Sequence, residues 1–287
     1  MRILIFTLLT LFITNCGNGD SEATETRNAA WNDVNQHGTG TITLVYVPSD
    51  GFSYEDDGGN LTGVTIELVR DFVDYVNSEY DVEIRIHYKP VEQFSEFYFI
   101  VQTSSGGVFG VGNVTITEER RGEIAFSPPY MTNIATLITH SEVPEINSFG
   151  EIESTFDGLN ALAFEGTLHQ DRLQGILDQY IPEADMLFAH SNNEIIERTA
   201  VENRYFAYVD IYNYWRAADR GEPLRRHSAG DESSEQFGVI MPLESDWHEV
   251  MEEFFLANSG YINSTRYREL MEEHLGEELA NLLLEQE

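Results

Sequence analysis

Residues 113–130, Asn-Val-Thr-Ile-Thr-Glu-Glu-Arg-Arg-Gly-Glu-Ile-Ala-Phe-Ser-Pro-Pro-Tyr, join the end of a strand to the start of a helix within a few residues. A join this short is the unit from which layered α/β folds are built. Residues 108–114 read as a short apolar strand carrying glycines. Thr117 then stands as an N-cap, its hydroxyl able to accept from the free amides of the next turn, and Glu118 and Glu119 suit the positive end of the helix dipole. Arg120 falls in that first turn, close to where the strand ends. A planar guanidinium held there can grip a carboxylate with two parallel hydrogen bonds, and Thr115 and nearby backbone amides can add neutral donors. Local spacing alone favours a plainer reading, a surface helix turn whose arginine pairs with Glu118 or Glu123.

The same alternation of strand and helix runs through the rest of the chain. Residues 41–47 alternate as a strand, and Val69, Phe72, Val73 and Val76 recur at helical spacing with Arg70, Asp71 and Asp74 pointing away. Residues 83–88 read as a second strand and 94–101 as a helix. Residues 159–164 are again strand-like, followed by Gly166-Thr167 and a helix near 170–177, and 206–209 form a short strand. Val250, Met251, Phe254 and Phe255 line another helix, and Leu270, Leu275, Leu279, Leu282 and Leu283 one more helical face in the tail. At 287 residues with 41% hydrophobic content, the chain can bury one large core or two modest ones.

Arg2 followed by the apolar run 3–13 has the form of a signal peptide, too short for a membrane span of ~20 residues. Cys16, straight after that run, resembles a lipobox cysteine, although Asn15 replaces the usual small residue before it. The alternative is a conventional signal peptide cut elsewhere. The expectation is a lipoprotein signal peptide over 1–16 with lipidation at Cys16, then a flexible tether over 17–40 rich in Asn, Gly, Ser, Thr and acids. Cys16 is the only cysteine, which excludes an intramolecular disulfide and a cysteine zinc site. The histidines are dispersed, with no His-x-His or His-x-x-x-His pair. Residues 107–112 are glycine-rich but lack the order of a dinucleotide loop. No metal or cofactor is expected.

Fifty Asp and Glu against 16 Lys and Arg give a net charge of −34, and Lys89 is the only lysine. Nucleic acid is excluded as a partner, because phosphate binding needs a basic face. Such a surface suits high salt, where screening removes self-repulsion. The melting temperature is therefore expected to rise from dilute buffer to molar salt, and a flat or falling calorimetric series would oppose this reading.

The run Val114-Thr115-Ile116-Thr117-Glu118-Glu119-Arg120-Arg121, followed by Phe126-Ser127-Pro128-Pro129-Tyr130, resembles the signature of the family 3 extracellular solute-binding proteins, the periplasmic amino-acid receptors of ABC importers. Further blocks follow in family order over roughly residues 40–285. They are Phe52-Ser53-Tyr54 with the Leu61-Thr62-Gly63 entry to the first helix, the strand ending in Gly166-Thr167, and Gln236-Phe237-Gly238-Val239-Ile240-Met241-Pro242 before Ser245-Asp246. The resemblance implies an α/β chain with the two-lobed type II periplasmic-binding-protein fold, two crossing strands serving as the hinge. One lobe would hold 41–131 plus 236–287 and the other 132–235, with crossings near 130–132 and 234–236. Closure of such a cleft dries the ligand and strengthens its charged hydrogen bonds.

Carried over residue by residue, the resemblance makes Arg120 the clamp for a ligand α-carboxylate, Thr115 a donor and Asn113 a backbone contact. It places the amides of Thr167 and Leu168 at a helix N-terminus on the other lobe. Asp210 is the candidate for the ligand ammonium; if it is only a strand-end cap, amino-acid specificity falls. Phe52, Tyr54 and Phe94 occupy regions where relatives place aromatic walls, with burial in the core the competing reading of each. The implied function is a monomeric receptor, without chemistry of its own, that binds an amino acid or other carboxylate. It would work in the periplasm or cell envelope, held to the membrane by lipid and partnered by an ABC permease. The alternatives are a cyclohexadienyl-dehydratase-like enzyme using Glu165 or Asp210 as general acid, and a sensory ligand-binding domain without transport.

Overall fold

The computed structural model describes residues 28–257 and 260–284. Cys16 and the rest of the expected signal peptide lie outside them. In chain order the elements are α1 (Trp31–His37), β1 (Thr39–Tyr46), β2 (Tyr54–Glu55), β3 (Leu61–Thr62), α2 (Val64–Tyr80), β4 (Glu83–Pro90), α3 (Phe94–Thr103), β5 (Val108–Thr115), α4 (Glu118–Arg121), β6 (Ile124–Phe126) and β7 (Met131–His140). There follow α5 (Ile152–Thr155), β8 (Asn160–Phe164), α6 (Leu168–Tyr180), β9 (Met186–Ala189), α7 (Asn192–Val201), β10 (Tyr205–Asp210), α8 (Ile211–Asp219), β11 (Leu224–Pro242), α9 (His248–Leu256), α10 (Thr265–Leu275) and α11 (Glu277–Leu284).

Hydrogen bonding links the strands in the order β4-β1-β5-β11-β7-β10-β8-β9, with β6 beside β11. The β4-β1-β5 half and the β10-β8-β9 half are each parallel inside, as strands separated by crossover helices must be. The antiparallel pair β7 and β11 lies between these halves and runs from one into the other. Met131 pairs with Phe237, Thr132 with Gln236 and Asn133 with Glu235, so both chain crossings are side by side.

Alternation along the strands sends neighbouring residues to opposite faces. In β1, Ile42, Leu44 and Tyr46 join Phe109 and Val111 of β5 and Phe72 of α2 in one core, whereas Val45, with Val47 just past the strand, joins Val108, Phe97 and Val101 in another. Within α2, Val69, Phe72, Val73 and Val76 are buried, the stripe that their spacing predicts. A fully buried side chain of this size contributes about 2 kcal/mol. The helix opens at Gly63 with φ +119°, where a Cβ would stand 2.4 Å from the Phe52 carbonyl, so only glycine fits the turn.

Two local expectations change. The tether assigned to 17–40 is structured from residue 28 onward. The Asp246 carboxylate accepts from the amides of Trp31 and Asn32 at the start of α1, and the Trp247 indole donates to the Ala29 carbonyl. The tail is two helices rather than one, because Gly276 at φ +85° ends α10 and lets α11 start in a new direction.

The second half has its own core around Leu137, Ile152, Phe156, Leu173 and Phe206. His227 is fully buried beside it. Its Nδ1 accepts from the Ile146 amide at 3.2 Å and its Nε2 lies 2.8 Å from the Thr139 hydroxyl. Burial, reinforced by Arg225, pulls this imidazole down to about 4. Unfolded, the group returns toward its ordinary 6.5 and binds more protons between these values. The stability it secures is complete above about pH 6.5 and is lost as pH falls toward 4. Replacing His227 with Gln should flatten the pH dependence of the urea midpoint across that window, and an unchanged slope would remove His227 as its source.

Candidate ligand cleft between the lobes

The strand ends of both halves meet at a cleft of about 730 Å³, its mouth included. From the first half it is lined by Val47, Pro48 and Ser49 after β1, by Phe94 at the start of α3, and by Gly112, Asn113, Thr115 and Arg120. From the second come Phe164, Thr167, Leu168 and His169, Ser191 to Asn193 at the start of α7, and Asp210, Tyr212 and Asn213.

Arg120 owes its position to the short strand-to-helix join. The Thr117 hydroxyl caps α4 by accepting from the Arg120 amide at 3.2 Å. The guanidinium then folds back, donating through Nη1 to the Thr115 carbonyl at 3.1 Å. It lies over the rings of Phe94 and Tyr98, each 5.6 Å from its central carbon. Cation–π contact of this kind holds a desolvated cation without neutralising it. Burial lowers the Arg120 pKa from its ordinary value, opposed by the nearby Tyr98, Glu235 and Asp171. No carboxylate among the described residues pairs with it, and neither Glu118 nor Glu123 does so. Glu118 lies 3.9 Å from the exposed Arg121 and Glu123 accepts from the Tyr98 hydroxyl.

Asp210 ends β10 and occupies the N-cap position of α8, but its carboxylate does not cap that helix. Its Oδ1 accepts from Asn133 Nδ2 at 2.6 Å and lies 3.2 Å from His169 Nε2, while Oδ2 takes no hydrogen bond from the described residues. Behind it, Asn133 also donates to Glu235 Oε2 at 2.9 Å. Arg172 pairs with the other Glu235 oxygen and contacts His169 Nδ1 at 3.1 Å. A buried, cleft-lining acid is thus wired to the two crossing strands and to α6.

Asn113 adopts φ +52°, unusual for a residue with a side chain, and two tyrosines hold it there. Tyr130 donates to its Oδ1 at 2.8 Å, and its Nδ2 donates to Tyr212 at 2.7 Å. Tyr212 comes from the second half and is also 3.3 Å from Ser49, so this contact and the Phe94–Phe164 ring pair at 6.2 Å draw the halves together. Burial raises the pKa of Tyr212 and keeps its hydroxyl protonated. On the far wall Gly166, at φ +79°, turns the chain from β8 into α6. The first amides of α6, at Leu168 and His169, point out of the helix end as donors.

Arg120, Thr115, Asn113, Thr167, Leu168, Asp210 and Phe94 therefore share one cleft. Phe52 and Tyr54 do not line it. Phe52 is 1% exposed and its ring packs 4.4 Å from that of Tyr212, behind the wall. Tyr54 pairs with Thr62 in the β2–β3 hairpin, which turns its hydroxyl to His274 at 3.0 Å. Glu165 is exposed and outside the lining. Sequence reasoning missed Tyr98, His169, Asn133, Arg172 and Glu235. Tyr98 stands one helical turn after Phe94 and was within reach of periodicity, whereas the others carry no local signal.

Comparison with known proteins agrees with this architecture. The pattern of the bacterial extracellular solute-binding proteins, family 3, matches residues 42–277. An ancestral arginine-binding protein bound to arginine superposes with a TM-score of 0.67 at 16% identity, covering 84% of this chain and 100% of that one. A structure from work on glutathione import through GshT and the cystine ABC importer of Streptococcus mutans gives 0.67 at 18% identity, covering 82% and 95%. An ancestral amino acid-binding protein, a precursor of cyclohexadienyl dehydratase, gives 0.64 at 18%, covering 86% and 99%. Membrane-bound lytic murein transglycosylase F of Pseudomonas putida is 22% identical over 210 residues, 68% of this chain; the match spans only 41% of that enzyme's length. Among the described residues no helix is long and apolar enough to cross a membrane. The α/β architecture is the two-lobed type II binding-protein fold, and the chain belongs to the family 3 bacterial extracellular solute-binding proteins.

Proposed function

We propose that this protein binds a free amino acid in the interlobe cleft and delivers it to an ABC importer without transforming it. The observation that carries the reading is the separation of charge across the cleft. An unpaired guanidinium is stacked on Phe94 and Tyr98 on one lobe, and a buried carboxylate with a free oxygen stands on the other. A zwitterion satisfies both, its carboxylate taking the fork of Arg120 and its ammonium the free edge of Asp210. The Leu168 and His169 amides at the start of α6 add donors to the carboxylate side, whereas the Thr167 amide, expected to join them, donates to the Phe164 carbonyl. Glu165, one of two candidate general acids, lies off the cleft, and Asp210 is already committed to Asn133 and His169, which favours binding over catalysis. A lipid on Cys16 would hold the receptor at the membrane from which its cargo is taken up.

A thermal-shift screen of the purified domain against the common amino acids and small carboxylates tests this reading. At a ligand concentration 100 times Kd the native state gains about 2.7 kcal/mol, enough to move the melting temperature by several degrees. NMR of the best ligand after long incubation should show it unchanged. A screen in which no amino acid shifts the melt, or an incubation that converts the ligand, would sink the proposal. Membrane fractionation of wild type against Cys16→Ser checks the anchor, which is wrong if both stay with the membrane.

A further inference from the structure

We infer that the occupant's side chain is uncharged and hydrogen-bonding, of the carboxamide kind, and not cationic; the inference rests on the amino-acid reading of the same cleft. Among the described residues, the charged or titratable side chains lining the cleft are Arg120, Asp210, His169 and Tyr212, and burial keeps the Tyr212 phenol neutral. The two end groups of an amino acid use Arg120 and Asp210. A cationic side chain would then be desolvated with no second carboxylate in the lining, since Glu235 lies behind Asp210, held by Arg172 and Asn133. Burying a charge without a partner is strongly disfavoured. An anionic side chain fares no better, because His169 has both ring nitrogens engaged. Arg172 donates to Nδ1, which leaves the Nε2 proton for Asp210.

What remains is neutral and polar. Ser191, Asn192 and Asn193 stand at the start of α7, and Asn213 lies in the first turn of α8. Asn213 is 7% exposed and its Nδ2, beside the Tyr212 hydroxyl, makes no hydrogen bond of ordinary length with the described residues; the Asn192 Oδ1 is likewise buried without a donor. One unused donor and one unused acceptor in the same lining match the C=O and NH2 of a carboxamide. Buried polar groups of this kind are ordinarily paired, so a ligand that supplies both partners is favoured over one that cannot.

Titration calorimetry of the full chain with L-glutamine, L-asparagine, L-arginine, L-lysine and L-glutamate tests this. The better of the two carboxamides should bind at least roughly tenfold more tightly than the charged three. Asn213→Asp puts a carboxylate into the neutral wall and should weaken that carboxamide while strengthening lysine or arginine. If this variant fails to melt cooperatively, Asn192→Asp carries the same expectation. Tightest binding by arginine, lysine or glutamate overturns the inference and leaves the amino-acid reading standing. An unchanged order of affinities in the folded variants also overturns it. Absence of binding by all five, with no hit among other amino acids, removes both readings together.

Discussion

Arg120→Ala is expected to weaken binding of the best amino acid by about 30-fold to several thousand-fold, equivalent to about 2–5 kcal/mol. The guanidinium is already desolvated over Phe94 and Tyr98 and bonded to the Thr115 carbonyl, so it is organised before the ligand arrives. Removing it takes away a bidentate contact and leaves a ligand carboxylate in a closed cleft with neutral donors alone. Arg120→Lys should recover only part of the loss, since an ammonium reproduces the charge but not the planar fork or its stacking. Arg121 is the control. It is exposed, lies beside Glu118 and Phe126, and does not line the cleft, so Arg121→Ala should bind nearly as wild type. Calorimetry on the three variants decides. Normal binding by Arg120→Ala with failure of Arg121→Ala would misplace the clamp, and normal binding by both would mean that the ligand does not present a carboxylate here.

Arg172→Met is expected to cost about 3–5 kcal/mol of stability, with no ligand present, because it leaves the carboxylate of Glu235 buried without its cation. Glu235 is 5% exposed, and after the substitution its hydrogen-bond partner among the described residues is the Asn133 amide, with the Arg120 guanidinium nearby but not paired to it. At roughly 2–4 °C per kcal/mol for a domain of this size, the melting temperature should fall by something on the order of 10 °C. Glu235→Gln in the same background removes the stranded charge and should restore a large part of the loss. The double-mutant cycle separates the ion pair from the lost packing of Arg172 over Tyr208, which lies 5.9 Å away. If the double variant is as unstable as Arg172→Met alone, packing rather than charge holds this corner. The location adds interest, because Asn133 and Glu235 face each other on the two strands that cross between the lobes and Asn133 links Glu235 to Asp210 in the cleft.

Sequence by itself determined those features that depend on neighbours along the chain. The strand-to-helix join placed Arg120 in a turn capped by Thr117, because capping and strand termination are decided within a few residues. Alternation in β1 and the helical stripe of α2 announced the α/β layers, because each face has a fixed period and only one side can be apolar. The ordered blocks from Phe52 to Pro242 identified the family, and its geometry carried Phe94, Thr167 and Asp210 into the same cleft as Arg120.

Tertiary structure decided what local spacing leaves open. Phe52, Tyr54 and Phe94 look alike as aromatics near strand and helix starts, yet only Phe94 reaches the cleft. Phe52 is covered by Tyr212, some 160 residues further along, and Tyr54 by His274, 220 residues away. Whether Asp210 caps a helix or turns into the cleft is likewise decided by Asn133 and His169, which lie 77 and 41 residues from it in sequence. A carboxylate turns toward whichever donors surround it in space, and those donors are assembled only when both lobes and their crossing strands have packed.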